Sequence, residues 1–410
     1  MTPTLRFAAV GLAVLAAGCT ARHRAGAPPQ LVRESALVQP GPADDPGPIE
    51  TELLRSLADR TKTALAAPDP AAKPGKFLAL SGGGMYGAYS VGVLTGWTAT
   101  GTRPQFDVVT GVSTGALVAT YAFLGTEYDG TMAKLYTTVT DRDIYRKRPR
   151  PAVLFSDAAA SSEPLRQLIE TQVDDGIVAA VARAHAAGRR LYVGTTNLDT
   201  RRLVVWDMGA IAASGRPDAK ELYRKVLLAS ASVPGFFPSV PIEVEVNGRP
   251  FTELHADGGA TTGVFLRAST LHVDPAALRA GRQPLAGSGA YVIIAGKLYA
   301  DPAVTDRRAL RVAESALSAM VSSQTRGELF RIYALCLLGG MNYHLAAIPE
   351  DFPVSADAMG FDPVEMRRLY TAGYDAAVGG RAWRDTPPGA EPHEQHRPRT
   401  GTQFFAPGAR

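Results

Sequence analysis

The feature that most constrains this chain is a five-residue turn set between a strand and a helix. Phe106-Asp107-Val108-Val109-Thr110 has the apolar, β-branched character of a buried strand, and Ala116 to Leu124 reads as a helix. Between them stands Gly111-Val112-Ser113-Thr114-Gly115. A G-x-S-x-G turn in that position is a nucleophile elbow. The backbone reverses so tightly that the positions two before and two after the serine must be small, and the serine hydroxyl is pushed out over the sheet edge. The competing reading is a glycine-rich turn whose serine merely caps the helix. Either way, a strand feeding a helix through a tight turn calls for an α/β layer.

About thirty residues earlier the same grammar occurs. Phe77-Leu78-Ala79-Leu80 is a short buried strand, followed by Ser81-Gly82-Gly83-Gly84-Met85-Tyr86-Gly87 and a helix from about Met85 to Trp97. Ala88, Gly92 and Gly96 recur every fourth residue, so this helix is expected to lie close against a sheet. Gly82, Gly84 and Gly87 also satisfy G-x-G-x-x-G, the dinucleotide fingerprint. That fingerprint wants an acid at the end of the second strand, whereas Asp107 precedes Val108-Val109-Thr110. The alternative is an anion hole, because consecutive glycines leave backbone N–H groups unshielded at a helix N-terminus. Gly82, Gly83 and Gly84 would then serve the oxyanion of an acyl-transfer intermediate.

A serine needs a base. After Ser113 the histidines are His185, His255, His272, His344, His393 and His396, and none stands in a glycine-framed loop. Asp257-Gly258-Gly259 instead places a carboxylate at a tight turn, although Asp-Gly turns are common.

Taken in order, Gly82–Gly87, Gly111–Gly115 and Asp257–Gly259 resemble the motifs of the patatin-like phospholipases. Weaker likenesses are Thr195 to Thr200, Ala229 to Pro238, and Gly360-Phe361-Asp362-Pro363 with Met366 to Tyr370, so the resemblance runs from about Lys76 to Tyr374. It implies a three-layer α/β/α sandwich with a mostly parallel sheet. It also implies a Ser113–Asp257 dyad without histidine, an oxyanion hole at Gly82, Gly83 and Gly84, and structural glycines at Gly87, Gly111, Gly115, Gly258 and Gly259. The substrate would be a lipid or other acyl ester, with no cofactor and no metal. Many members carry Arg or Lys where this chain has Met85-Tyr86, which removes positive charge near the site. The rivals are an esterase or thioesterase acting on soluble acyl groups, and a silent lipid-binding protein.

The remaining segments concern placement. Residues 1–18 carry Arg6 and then an apolar run from Phe7 to Ala17, too short to span a bilayer. It ends at Ala16-Ala17-Gly18-Cys19, which resembles a bacterial lipobox, with Leu15 one residue further back than the usual leucine. Cleavage before Cys19 and its acylation would anchor the protein to the cell-envelope membrane, facing the periplasm or in the outer membrane. Residues 19–75 read as a Pro-rich tether, 76–378 as the catalytic domain, and 379–410 as a Pro- and Arg-rich disordered tail. Arg142, Arg146, Lys147, Arg148 and Arg150 form a basic cluster that either meets anionic lipid or is a solvated loop. Gly289 to Leu298 reads as a late buried strand. Thr305 to about Leu345 reads as mostly helical, with Leu335, Cys336, Leu337 and Leu338 buried.

Composition adds exclusions. There are 43 Lys and Arg against 39 Asp and Glu, a net charge of +4 without a basic stripe, which argues against a nucleic-acid partner. Two cysteines permit neither a disulfide framework nor a cysteine zinc site.

Overall fold

The computed structural model describes residues 74–149, 156–246, 249–279, 282–301 and 304–390. The signal segment, Cys19, the tether through residue 73, Arg150, and the stretch from 391 with His393 and His396 lie outside the described residues.

In chain order the elements are β1 (Lys76–Leu80), α1 (Gly87–Ala99), β2 (Val108–Val112), α2 (Thr114–Leu124), α3 (Asp129–Thr138) and α4 (Asp141–Ile144). A small ribbon of β3 (Arg146–Lys147) and β4 (Ala160–Ser161) follows, then α5 (Glu163–Gln172) and α6 (Asp175–Ala186). The hairpin β5 (Arg190–Asn197) and β6 (Arg202–Asp207) leads to α7 (Met208–Ala213) and α8 (Ala219–Ser230). A second hairpin, β7 (Val240–Val246) and β8 (Arg249–Asp257), precedes α9 (Pro275–Arg279) and β9 (Gly289–Lys297). The chain closes with α10 (Ala309–Gly339), β10 (Asn342–Ile348) and α11 (Pro363–Val378).

The main sheet runs β10-β9-β1-β2-β5-β8-β7, with β6 also on β5. From β10 to β5 every neighbouring pair is parallel, and the two hairpins add antiparallel strands at the far side. Both faces are buried, as a sheet built from crossovers requires. Leu78, Leu80, Val109, Leu191, Val193 and Ile293 face one core, beneath α1, α2, α6, α8 and α11. Phe77, Ala79, Val108, Tyr192, Val292 and Ile294 face the other, covered by Val264 to Val273 and by Leu329, Ile332 and Cys336 of α10. This is the expected α/β/α sandwich.

The small-residue stripe of α1 has a different partner from the one read in the sequence. A Cβ on Gly92 would stand 2.1 Å from Tyr370 O, and one on Gly96 2.5 Å from Tyr374 O. The stripe faces α11, whose Gly373 reciprocates against Tyr89 O. Helix α1 is buried from Gly87 to Trp97, so one side rests on the sheet and the glycines receive a second helix.

Two further readings change. Helix α10 stops at Gly339, and Asn342–Ile348 is a strand paired with β9 instead of more helix. Cys336 is buried as expected, but Leu338 is 44% exposed on the outer face of the helix. The folded chain also passes Gly379, since Arg384 pairs with Leu345. The chain divides into two units. Everything above lies in the larger one, except the first part of α10. The smaller holds residues 300–322, where Val312, Leu317 and Met320 are exposed.

Candidate active site

The elbow forms as its sequence dictates. Strand β2 runs to Val112, and α2 begins at Thr114, earlier than its apolar pattern suggests. Ser113 alone makes the turn, at φ 55° and ψ −127°, a conformation that L residues avoid. The flanking glycines are sterically required. A Cβ on Gly111 would lie 2.5 Å from Gly115 O, and one on Gly115 would lie 2.5 Å from Leu80 O and Ser81 O.

Strand β5 then serves as a ruler. Its residue Gly194 pairs with Val112 of β2, and the next residue, Thr195, pairs with Asp257 of β8. Both residues also pair with β6, so β2 and β8 share the opposite edge of β5. Strand β2 climbs that edge and stops, and β8 descends it antiparallel and stops one residue away. The ends of the two strands, Ser113 and Asp257, are therefore brought together from 144 positions apart in the chain. Gly258 makes the junction possible, because a Cβ there would lie 2.5 Å from Gly194 O.

Asp257 is 4% exposed. Its N–H donates to Ser232 O at 2.8 Å, and its carbonyl accepts the Thr196 hydroxyl at 2.9 Å. Oδ1 accepts the Gly259 N–H at 2.7 Å, while Oδ2 is buried with no hydrogen-bond partner among the described residues. Burial pushes the carboxyl up to about 6, against the opposing pull of the Ser113 hydroxyl and the Gly259 N–H.

The glycine loop passes beside the serine. The Cβ position of Gly82 is 3.7 Å from Ser113 Oγ. The Gly82 N–H, one of the three expected anion donors, is taken: it donates to Gly263 O at 3.1 Å. Met85 N–H is likewise given to Ala358 O at 2.9 Å. Between them, the N–H groups of Gly83 and Gly84 find no acceptor among the described residues. Gly83 (φ 158°) and Gly84 (φ 55°) press against Ala295 O and Ala358 O so closely that no side chain fits at either. Gly87 abuts Thr114 and Tyr136.

Gly84, Ser113 and Thr114 stand in the wall of a cavity enclosing about 920 Å³, its open mouth included. Leu117, Thr120 and Tyr121 of α2 continue the wall, with Met132, Leu135 and Tyr136 of α3 and Leu165, Leu168, Ile169 and Gln172 of α5. Among the described residues no charged side chain lines it. The segment after the elbow helix thus supplies much of this wall. The basic cluster does not: Arg142, Arg146 and Lys147 are exposed on α4 and β3 and stand outside the cavity.

Three of the histidines have other partners, and His272 is exposed. His255 is fully buried, with Nδ1 2.9 Å from Thr195 Oγ1 and Nε2 3.1 Å from Glu253 Oε2. His185 sits by Asp207 and His344 by Asp385. Among the described residues no cluster of His, Cys, Asp and Glu is arranged to hold a metal ion.

A strained serine at a strand–helix elbow, a buried carboxylate at the end of β8 and an apolar cavity stand together in one α/β sandwich, an arrangement of the kind serine acyl hydrolases use. Residues 78–268, just under half of the chain, match the family model described as patatin-like phospholipase, and this segment is a patatin-like domain. It spans β1 to the turn after β8 and contains the glycine loop, Ser113 and Asp257. The family consists in general of lipid acyl hydrolases. No curated protein sequence matches the chain. Among solved structures, VipD from Legionella pneumophila is similar at 15% identity and a TM-score of 0.37, over 76% of this chain and 68% of that one.

Proposed function

We propose that this protein is a serine hydrolase that cleaves carboxylic esters of lipids through an acyl-enzyme. The observation that carries the proposal is that Val112, the residue before Ser113, and Asp257 pair with consecutive residues of β5, Gly194 and Thr195, while Ser113 stands in the wall of an apolar cavity. In this reading Asp257 takes the Ser113 hydroxyl proton as Oγ bonds to the ester carbonyl carbon. The charge that develops on the carbonyl oxygen meets the unengaged N–H groups of Gly83 and Gly84, at the glycine end of the cavity. The alkoxide leaves with the proton held by Asp257, which frees the acyl-enzyme. Water then gives a proton to Asp257 and attacks the acyl carbon. The fatty acid departs and the Ser113 hydroxyl is restored. The acyl chain lies along α2, α3 and α5, where apolar walls favour a hydrocarbon over a charged group.

The test is turnover of acyl esters and phospholipid by Ser113→Ala and Asp257→Asn, measured beside circular dichroism. Both should be folded and lose several orders of magnitude in rate. A folded Ser113→Ala protein with wild-type turnover would sink the reading. A wild-type protein that binds lipid and turns over none would make this a lipid carrier.

Membrane anchoring through acylated Cys19 completes the proposal, on the strength of the lipobox-like Ala16-Ala17-Gly18-Cys19. Cys19→Ala protein should leave the membrane fraction and keep its esterase activity. Retention in the membrane would assign the anchoring elsewhere.

A further inference from the structure

Beside Asp257 lies a chain of buried polar groups that the proposed reaction does not use. Thr195 and Asp257 are register partners, so their side chains share one face of the sheet. The indole N–H of Trp206 donates to Thr195 Oγ1 at 2.8 Å. Thr195 Oγ1 also lies 2.9 Å from His255 Nδ1, and His255 Nε2 lies 3.1 Å from Glu253 Oε2. Thr195 and His255 are both wholly buried.

Donor counting fixes the direction of this chain. A threonine hydroxyl has one proton to give. Having accepted from Trp206, Thr195 has His255 Nδ1 as the one acceptor for that proton among the described residues. Nδ1 is then the unprotonated ring nitrogen, and Nε2–H donates to the carboxylate of Glu253. The reverse tautomer would aim two donors at Thr195 and leave its own proton, and a buried Nε2, without a partner, which burial makes costly.

The placement has a purpose. Strand β8 is joined to β5 through only three register pairs, Thr195–Asp257, Thr196–Ala256 and Asn197–His255. Asp257 is the last of them, and its Oδ2 has no hydrogen bond to fix its direction. The side-chain chain ties β6, β5 and β8 together at that end.

We propose that Thr195 and His255, the latter as the neutral Nε2–H tautomer, are positioning residues that hold Asp257 in register against Ser113. The proposal rests on Asp257 being the base. Loss of the link lets the carboxylate drift, and misplacement by about 1 Å can cost up to 100-fold in rate.

The experiment compares Thr195→Val, Thr195→Ser and Asp257→Asn in the full chain with a short-chain nitrophenyl ester. Thr195→Val keeps the shape and removes the hydroxyl, so kcat should fall about 10- to 100-fold with KM unchanged. Thr195→Ser should recover most of the loss, which a merely structural change would not do. An inert Asp257→Asn beside a wild-type kcat in Thr195→Val, or equal damage in Val and Ser, overturns the positioning role and leaves the base assignment standing. An active Asp257→Asn overturns both. A long-range proton–nitrogen spectrum of wild-type protein labelled at histidine needs no variant. It should show His255 protonated at Nε2, and protonation at Nδ1 would refute the proposed direction.

Discussion

Ser230 Oγ accepts the Ser113 N–H at 3.0 Å and donates its own proton to Gly194 O at 2.7 Å. One hydroxyl at the end of α8 thus fastens the elbow to the strand that aligns it. Ser230 is fully buried, so its loss orphans an amide donor and a carbonyl at once. Ser230→Ala should cost about 1–3 kcal/mol in denaturant unfolding and lower kcat more than it raises KM. Unchanged stability and kcat would mean the elbow holds its shape unaided.

The backbone of Ser113 stores strain that only a residue without Cβ escapes. Ser113→Gly should therefore be inactive yet more stable than wild type, by about 1 kcal/mol or more. Ser113→Ala should be inactive without that gain. Equal stability of the Gly and Ala variants would show that the turn costs nothing.

Asp257 must be charged to accept a proton, and burial has raised its carboxyl to about 6. The pH profile of kcat/KM should be flat above about 6 and fall roughly tenfold per unit below it. Stability takes the opposite sign. A carboxyl whose pKa is higher folded than unfolded favours the folded state at acid pH, and that contribution is lost as pH rises through about 6. Wild type should accordingly lose stability relative to Asp257→Asn between pH 4 and pH 7, by an amount on the order of 3 kcal/mol. A pH-independent difference would contradict a buried ionised Asp257.

Leu117 lies one turn along α2 from Ser113, in the cavity wall. Leu117→Trp should fill the space beyond the reacting carbonyl. Butyrate esters should still be cleaved at near wild-type rate, and palmitate esters should lose about 10-fold or more, in keeping with steric limits in apolar pockets. Equal loss on both esters would place the acyl chain elsewhere.

What could be read from the sequence was local. Gly111-Val112-Ser113-Thr114-Gly115 announces its turn because the steric demand falls within five residues. The reading of helix on to about Leu345 passes over the Gly339-Gly340 stop of α10, where Gly340 takes φ 78° as a helix terminator does. The strand that follows it is not legible, since the apolar run of Asn342–Ile348 has no alternation to separate it from helix. Asp257 is singled out only through the resemblance to family motifs, because an Asp-Gly turn alone is too common. The rulership of β5, the Ser230 clasp and the use of the Gly82 N–H by Gly263 depend on register between distant segments, which no local pattern encodes. Gly92 and Gly96 were seen as a close-packing stripe but assigned the wrong neighbour, because periodicity shows that something approaches and not what.

Strand β1 lies between β2 and β9, and its helix α1 receives α11 on glycine. For a chain emerging from the ribosome, the first strand and the serine elbow are made long before the partners that cover them. A nascent chain halted at residue 268 would hold the whole family-matched segment and still expose one edge of β1 and the glycine groove of α1. Such open edges are sites of misassociation. The glycine groove of α1 is therefore closed only once α11 has been made and has docked.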